Sequence, residues 1–133
     1  MGDLSEHFSA SEFRCPCGQC EELPVNPELI RALESLRNWL CESPIRITSG
    51  VRCAAHNAAV GGAPSSQHLY GNAADITVAG APPERVANVA WSLPEFRGVG
   101  KGETFTHVDV RPGQKVRWVY GPHNKPEPWP NGE

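Results

Sequence analysis

The chain lacks three features that would place it in a common class of protein at once. It has no run of about 20 apolar residues, the length that spans a bilayer, so we expect no membrane segment. Its Lys and Arg residues are not clustered and its formal net charge is −3, so the positive surface of a nucleic-acid binder is missing. The N-terminal residues MGDLSEHFSASEF contain no apolar run, so we expect synthesis without an ordinary secretory signal.

The length and the cysteine content set further bounds. At 133 residues the chain is long enough for one hydrophobic core and too short for two. We expect a single domain over residues 1–120, with a loop-rich, cysteine-containing segment at 1–25, and a Pro-rich tail over 121–133 that is extended or disordered. The five cysteines are an odd number and cannot all pair within one chain, so a reduced or metal-bound state is at least as compatible as a disulfide framework.

The spacing of apolar residues predicts an α+β fold. Asn26 can cap a first principal helix, Pro27 suits its first position, and the helix should end near residues 42–44. A short helix over 54–60 and a second principal helix over about 84–93 follow it. Alternation predicts strands in PIRITSG, NAADITV, TFTHVDVR and KVRWVYG. The apolar stripe of the first helix consists of Leu29, Ile30, Leu33, Leu36, Trp39 and Leu40.

Two of these strands each carry a polar pair on the face opposite the core. Asp75 is paired with Thr77, and His107 with Asp109, so the pairs meet if the strands are neighbours. His68, in the loop before the first strand, can then fold over the same point. Two imidazoles and one carboxylate form a three-ligand set for zinc that keeps a fourth position open for water, as catalytic sites do.

The alternative is that these are ordinary surface side chains, because a His and an Asp separated by six residues are a weak signal alone. The small residues Gly71, Ala73 and Ala74 favour a site, since they let the backbone pass close to it. We therefore expect a mainly antiparallel sheet with two main helices on one face and a zinc site on the other.

The same residues carry a resemblance. Ser66, His68, Gly71, Ala73 and Asp75 form S-x-H-x-x-G-x-A-x-D, and an H-x-D strand follows downstream. This pattern resembles the zinc D-Ala-D-Ala metallopeptidase family, which includes carboxypeptidases, vancomycin-resistance dipeptidases and phage L-alanyl-D-glutamate endopeptidases. HFSASEFRCPCGQC, ITSGVRCAAHNAAVGGAPSSQHLYGNAADI and FTHVDVRPG extend the likeness to most of the chain. The resemblance implies the fold that these peptidases share with the Hedgehog signalling domain.

The resemblance also implies roles for individual residues. His68, Asp75 and His107 match the zinc ligands of the family. Arg52 matches an arginine that reaches the substrate carbonyl or the developing oxyanion, and Ser66 matches a serine near the terminus of the bound substrate. The implied activity is hydrolysis of a peptide bond in peptidoglycan stem peptides, either as a D-Ala-D-Ala carboxypeptidase or as an L-Ala-D-Glu type endopeptidase.

The general base departs from the family pattern. Several branches place an acid or a histidine two or three residues before the last ligand, where this chain has Phe105 and Thr104. Asp109 is our first candidate for the base and Glu103 the second, although Asp109 could instead orient His107. The missing acid keeps an alternative open, namely a non-catalytic zinc-containing binding module of the same fold.

For the cysteines, CPCGQC places Cys15, Cys17 and Cys20 close together, which suits soft-metal ligation or disulfide pairing to Cys41 or Cys53. No clear second C-x-x-C half follows. We therefore rank a structural role, which pins the N-terminal segment to the first helix or to the turn at Cys53, above a second, structural zinc ion.

We expect a monomer. Without a secretory signal, we expect a phage or prophage lysis enzyme that a holin or a virion delivers to the cell wall.

Overall fold

Six strands form a single sheet in the computed structural model, which describes residues 4–15, 25–60, 66–121 and 126–128. The spatial order is β1-β2-β4-β3-β5-β6, and within it β3 and β5 are parallel while the other neighbours are antiparallel. The predicted α+β class with a mainly antiparallel sheet is confirmed. The strands are β1 Ile45–Ser49, β2 Ala73–Val78, β3 Gly98–Lys101, β4 Thr106–Asp109, β5 Val116–Tyr120 and β6 Pro126–Pro128.

In the part of the chain that the structure describes, three α-helices accompany the sheet: α1 Pro27–Trp39, α2 Ala54–Ala59 and α3 Pro83–Ser92. The Asn26 side chain caps α1 by accepting a hydrogen bond from the Glu28 amide at 2.9 Å, as its sequence position predicts. Trp39 was predicted to belong to the apolar stripe, and this is wrong, since it is 65% exposed. Leu36 and Leu40, four residues apart, occupy the buried face instead, and Trp39 projects beside them into solvent.

The hydrophobic core lies between one face of the sheet and the two longer helices. Alternate residues of β2 point into it, while Asp75 and Thr77 point the other way. Burial on this face supplies most of the favourable free energy of folding, at about 25 cal/mol per Å² of apolar surface. The core members from the helices and strands include Leu29, Leu33, Leu36, Ile76, Val86, Ala87, Ala90, Val99 and Val108.

Strand β3 was not predicted, because its sequence GVGK contains two glycines and shows no alternation. Both glycines make room for neighbouring side chains: a Cβ on Gly98 would overlap the Asp109 carboxylate, and one on Gly100 would overlap the Trp118 indole. The polar face of the sheet is therefore crowded where these side chains lie.

A short 3₁₀ helix, Gln67–Tyr70, precedes β2 and ends at Gly71, whose φ of 71° lies in the left-handed region. The following turn is tied to the start of α1, because the Asn26 amide donates to the Gly71 carbonyl at 2.9 Å and the Asn26 side chain donates to Asn72 at 3.0 Å. The Val110 amide donates to the Asn72 carbonyl at 3.0 Å. This turn thus joins α1, β2 and the end of β4.

Both ends of the chain contact the rest of the domain. His7 is half-buried, and its Nδ1 lies 2.6 Å from Glu34 Oε1. Residues 126–128 of the predicted tail pair with β5 as β6. Cys17 and Cys20 lie outside the described residues. Among the residues described, no helix has the length and apolar character needed to cross a membrane.

Candidate metal centre

The centre lies on a row of cross-strand neighbours on the face of the sheet opposite the core. Ser49 of β1 is opposite Asp75 of β2, Asp75 is opposite His107 of β4, His107 is opposite Gly100 of β3, and Gly100 is opposite Trp118 of β5. Cross-strand partners in a sheet share a face, so these side chains lie side by side. The predicted meeting of Asp75 and His107 follows directly from this register.

His68 reaches the row from the 3₁₀ helix. The Ser66 side chain accepts a hydrogen bond from the His68 amide at 3.2 Å and so caps the turn that carries the ring. His68 Nδ1 lies 2.6 Å from the Gly50 carbonyl oxygen, which can only accept, so Nδ1 carries the hydrogen. The lone pair is therefore on Nε2, which lies 3.3 Å from Asp75 Oδ1.

His107 is held in the complementary way. Its Nε2 donates to Asp109 Oδ2 at 2.7 Å, and its Nδ1 lies 3.1 Å from Asp75 Oδ1. Asp109 is fully buried, and it also accepts hydrogen bonds from the Arg111 side chain at 2.7 and 2.9 Å. Burial raises the pKa of Asp109, but hydrogen bonds from Arg111 and His107 outweigh it and hold this pKa well below its usual range.

One ligand atom from each of His68, Asp75 and His107 lies within 4.8 Å of the others. With the outer ring nitrogens committed to Gly50 and Asp109, a nitrogen of each ring and a carboxylate oxygen face one another, so a proton or a cation must sit among them. Two imidazole nitrogens and one carboxylate oxygen are donors that suit Zn²⁺, and the set fits the metal that the sequence predicts.

The pKa values of His107 and Asp75 also indicate that the centre favours a positive charge. Burial lowers the pKa of His107, but the hydrogen bonds and charges of Asp109 and Asp75 outweigh it and raise the pKa to about 9. Burial raises the pKa of Asp75, but the adjoining His107 and His68 rings outweigh it and hold this pKa well below its usual range. The carboxylate is thus ionised and available as a ligand at neutral pH.

Arg52 borders the centre with a side chain that is 14% exposed. Its Nη2 lies 3.5 Å from Asp75 Oδ2, and its Nη1 donates to the Asn57 side-chain oxygen at 3.1 Å. Asn57 is buried on α2. A guanidinium restrained by Asp75, Asn57 and the Ser49 hydroxyl is a fixed positive charge beside the centre.

An aromatic wall, made of Phe105, Trp118 and Tyr120, flanks His107 on the same face. The Trp118 ring lies 5.2 Å from the His107 ring, and the Tyr120 ring lies 5.2 Å from that of Phe105. Burial raises the pKa of Tyr120 to about 12, with a further contribution from the charge of Asp75, so its hydroxyl stays protonated. Trp118 is half-buried.

Comparison with known proteins now adds independent evidence. The family model described as Peptidase M15 matches residues 6–109. The chain belongs to the peptidase M15 family. Among curated proteins it is similar to the zinc D-Ala-D-Ala carboxypeptidase of Streptomyces albus G, with 41% identity over 44 residues. That match spans 33% of this chain and 17% of the relative. The predicted resemblance to zinc D-Ala-D-Ala metallopeptidases is confirmed.

For an M15 peptidase, the two candidate bases lie in contrasting places. Asp109 is buried behind His107, as described above. Glu103 is exposed in the bend between β3 and β4, and among the described residues no hydrogen bond or ion pair joins it to the centre. The role of either carboxylate in proton transfer stays a prediction.

Proposed function

We propose that this chain is a zinc metallopeptidase that hydrolyses a peptide bond in peptidoglycan stem peptides. The observation that carries the proposal is the convergence of His68 Nε2, His107 Nδ1 and Asp75 Oδ1 on one point, with both outer ring nitrogens already hydrogen-bonded. Membership of the M15 family and the likeness to a zinc D-Ala-D-Ala carboxypeptidase support the reaction class.

His68, Asp75 and His107 would hold the ion. When bound, Zn²⁺ polarises the scissile carbonyl and lowers the pKa of a water ligand from about 15.7 to about 7. The Gly50 carbonyl and the Asp109 carboxylate keep each ring in the tautomer and orientation that present a lone pair to the ion.

Arg52 supplies the positive charge for the substrate. Asn57 and Asp75 hold its guanidinium at the edge of the centre, where it can bind a substrate carboxylate or stabilise a developing oxyanion. Removing one such donor typically costs about 10²–10³ in kcat. Ser66 is the second predicted contact to substrate, although its hydroxyl already accepts from the His68 amide.

The position of Asp109 supports a positioning role rather than proton transfer. A carboxylate that is fully buried, accepts hydrogen bonds from His107 and Arg111, and has a lowered pKa is a poor proton acceptor. We therefore assign the proton acceptor to Glu103, the other candidate, which precedes His107 on the bend that leads into β4.

A non-catalytic zinc-binding module is the second candidate, because Thr104 and Phe105 occupy positions where several M15 branches carry the base. The zinc-loaded protein, assayed on purified peptidoglycan, separates the two. A peptidase releases new amino groups and a chelator abolishes the release, whereas a binding module retains wall material and releases none.

The variant His68→Ala should lose both zinc and activity, and His56→Ala, a histidine outside the centre, should keep both. Full activity of the metal-free protein would contradict the proposal. Masses of the fragments released from defined muropeptides distinguish a D-Ala-D-Ala carboxypeptidase from an L-Ala-D-Glu endopeptidase. The monomeric state, the phage or prophage origin and delivery by a holin or a virion stay predictions from the sequence.

A further inference from the structure

A pair of thiols lies outside the metal centre. Cys15 Sγ, which is buried, is 3.8 Å from Cys53 Sγ, although the two residues are 38 positions apart in the sequence. The backbone holds them there, because the Val51 amide donates to the Phe13 carbonyl at 2.9 Å and Phe13 is a fully buried core residue. The approach of the sulfurs is thus built into the packing of the N-terminal segment against the end of β1.

The separation and the surroundings of the sulfurs favour metal ligation. A disulfide requires about 2.05 Å between sulfurs. Two thiolates on a tetrahedral zinc with Zn–S distances of about 2.3 Å are about 3.8 Å apart. Both sulfurs also accept backbone hydrogen bonds: the Cys53 amide donates to Cys15 Sγ and the His56 amide donates to Cys53 Sγ, each at 3.4 Å. Backbone amides that donate to sulfur ligands are typical supporting contacts of a metal site, so these two donors suit a cation held between the sulfurs.

We propose that Cys15 and Cys53 ligate a second, structural zinc ion, distinct from the ion at His68, Asp75 and His107. This assignment reverses the order in which the sequence ranked a plain structural contact and a second metal site. The ion would link the N-terminal segment to Cys53, the residue that follows Arg52. Removal of the ion should therefore make the Arg52 side chain, which borders the first centre, more mobile.

The test is metal content on the full chain, purified under reducing conditions with zinc present. Wild type should hold two zinc ions per chain, His68→Ala one, and Cys53→Ser and Cys15→Ser one each. Cys41→Ser is the matched control, because Cys41 is an exposed thiol, and it should keep two. One zinc in wild type, or two in Cys53→Ser, would overturn the proposal.

A second measurement does not depend on whether a cysteine variant folds. Cobalt substituted into His68→Ala occupies only the proposed site, so its spectrum should show the intense near-ultraviolet bands of thiolate ligation. Absence of these bands, or a Cys15–Cys53 disulfide found by mass analysis in the zinc-treated protein, would refute a thiolate metal site. The result is separable from the peptidase proposal, since thiolate-bound metal in an inactive protein leaves the second site standing.

Discussion

Asp109 binds His107 on the side of the ring that faces away from Asp75, with 2.7 Å between Asp109 Oδ2 and His107 Nε2. The bond fixes the tautomer of His107 and turns Nδ1 toward the centre. Asp109, which the sequence favoured as the base, therefore contacts the far side of a candidate ligand. Its possible roles as base and as support for His107 can be separated by experiment.

In Asp109→Asn, we expect zinc affinity to fall about 10- to 100-fold, because the amide supports His107 less strongly than the carboxylate does. At saturating zinc, peptidase activity should return to within a few-fold of wild type. Zinc titration combined with kcat at saturating metal checks this. A loss of kcat that excess zinc does not restore would instead identify Asp109 as the base.

Glu103→Gln should give the opposite pattern. Zinc content should stay unchanged, since Glu103 is exposed and is not one of the three ligand residues, while kcat should fall about 10²–10⁴-fold through loss of proton transfer. Glu95→Gln, another exposed carboxylate variant, is the control and should leave kcat unchanged.

Gly100→Ala should disturb the aromatic wall, because the added Cβ overlaps the Trp118 indole beside His107. We expect a loss of about 1–3 kcal/mol in the free energy of unfolding, typical of overpacking. Trp118→Phe in the same chain should restore part of that loss by making room. A double-mutant cycle on urea unfolding measures the coupling, and additive effects would contradict the contact.

The contact of Glu34 with Ser5 and His7 should make the free energy of unfolding fall at acid pH. Glu34 accepts hydrogen bonds from the Ser5 hydroxyl and the His7 amide, and these outweigh burial and lower its pKa below the ordinary 4.5. A lowered native pKa contributes stability that is present above 4.5 and is lost as the pH falls through the native pKa.

Glu34→Gln should therefore cost about 1–2 kcal/mol at pH 7 and progressively less below pH 4.5. Unfolding by denaturant across this pH range measures the difference. Glu42→Gln, which removes an exposed ion pair with Arg37, is the control and should change stability little at any pH. If Glu34→Gln lowered the free energy of unfolding equally at all pH values, the charge of Glu34 would make no contribution to stability.

The sequence predicted that Asp75 and His107 meet, because strand alternation fixes which side chains share a face. Asp75 and His107 alternate with buried neighbours, so their meeting needed only that β2 and β4 be adjacent. Strand β3 was not predicted because its glycines are required by contacts with Asp109 and Trp118. These two side chains are distant from β3 in the sequence and close to it in space.

Two further contacts were not predicted for a related reason: the hydrogen bond of Arg52 to Asn57 and the approach of Cys15 to Cys53. Each depends on how separate segments pack, and no periodicity within one segment encodes that packing. For Trp39, by contrast, periodicity predicted a contact that the structure lacks. Its helical spacing suited a core position, but at the end of α1 Leu40 is buried and Trp39 is exposed.

The Asn26 amide and side chain reach the turn at Gly71 and Asn72, directly between His68 and Asp75. Helix α1 thus begins beside the turn that connects two candidate ligands. Zinc binding at the centre should therefore stabilise α1 as part of the same cooperative unit. Addition of zinc should slow hydrogen exchange of the α1 amides, although none of the three candidate ligands belongs to that helix.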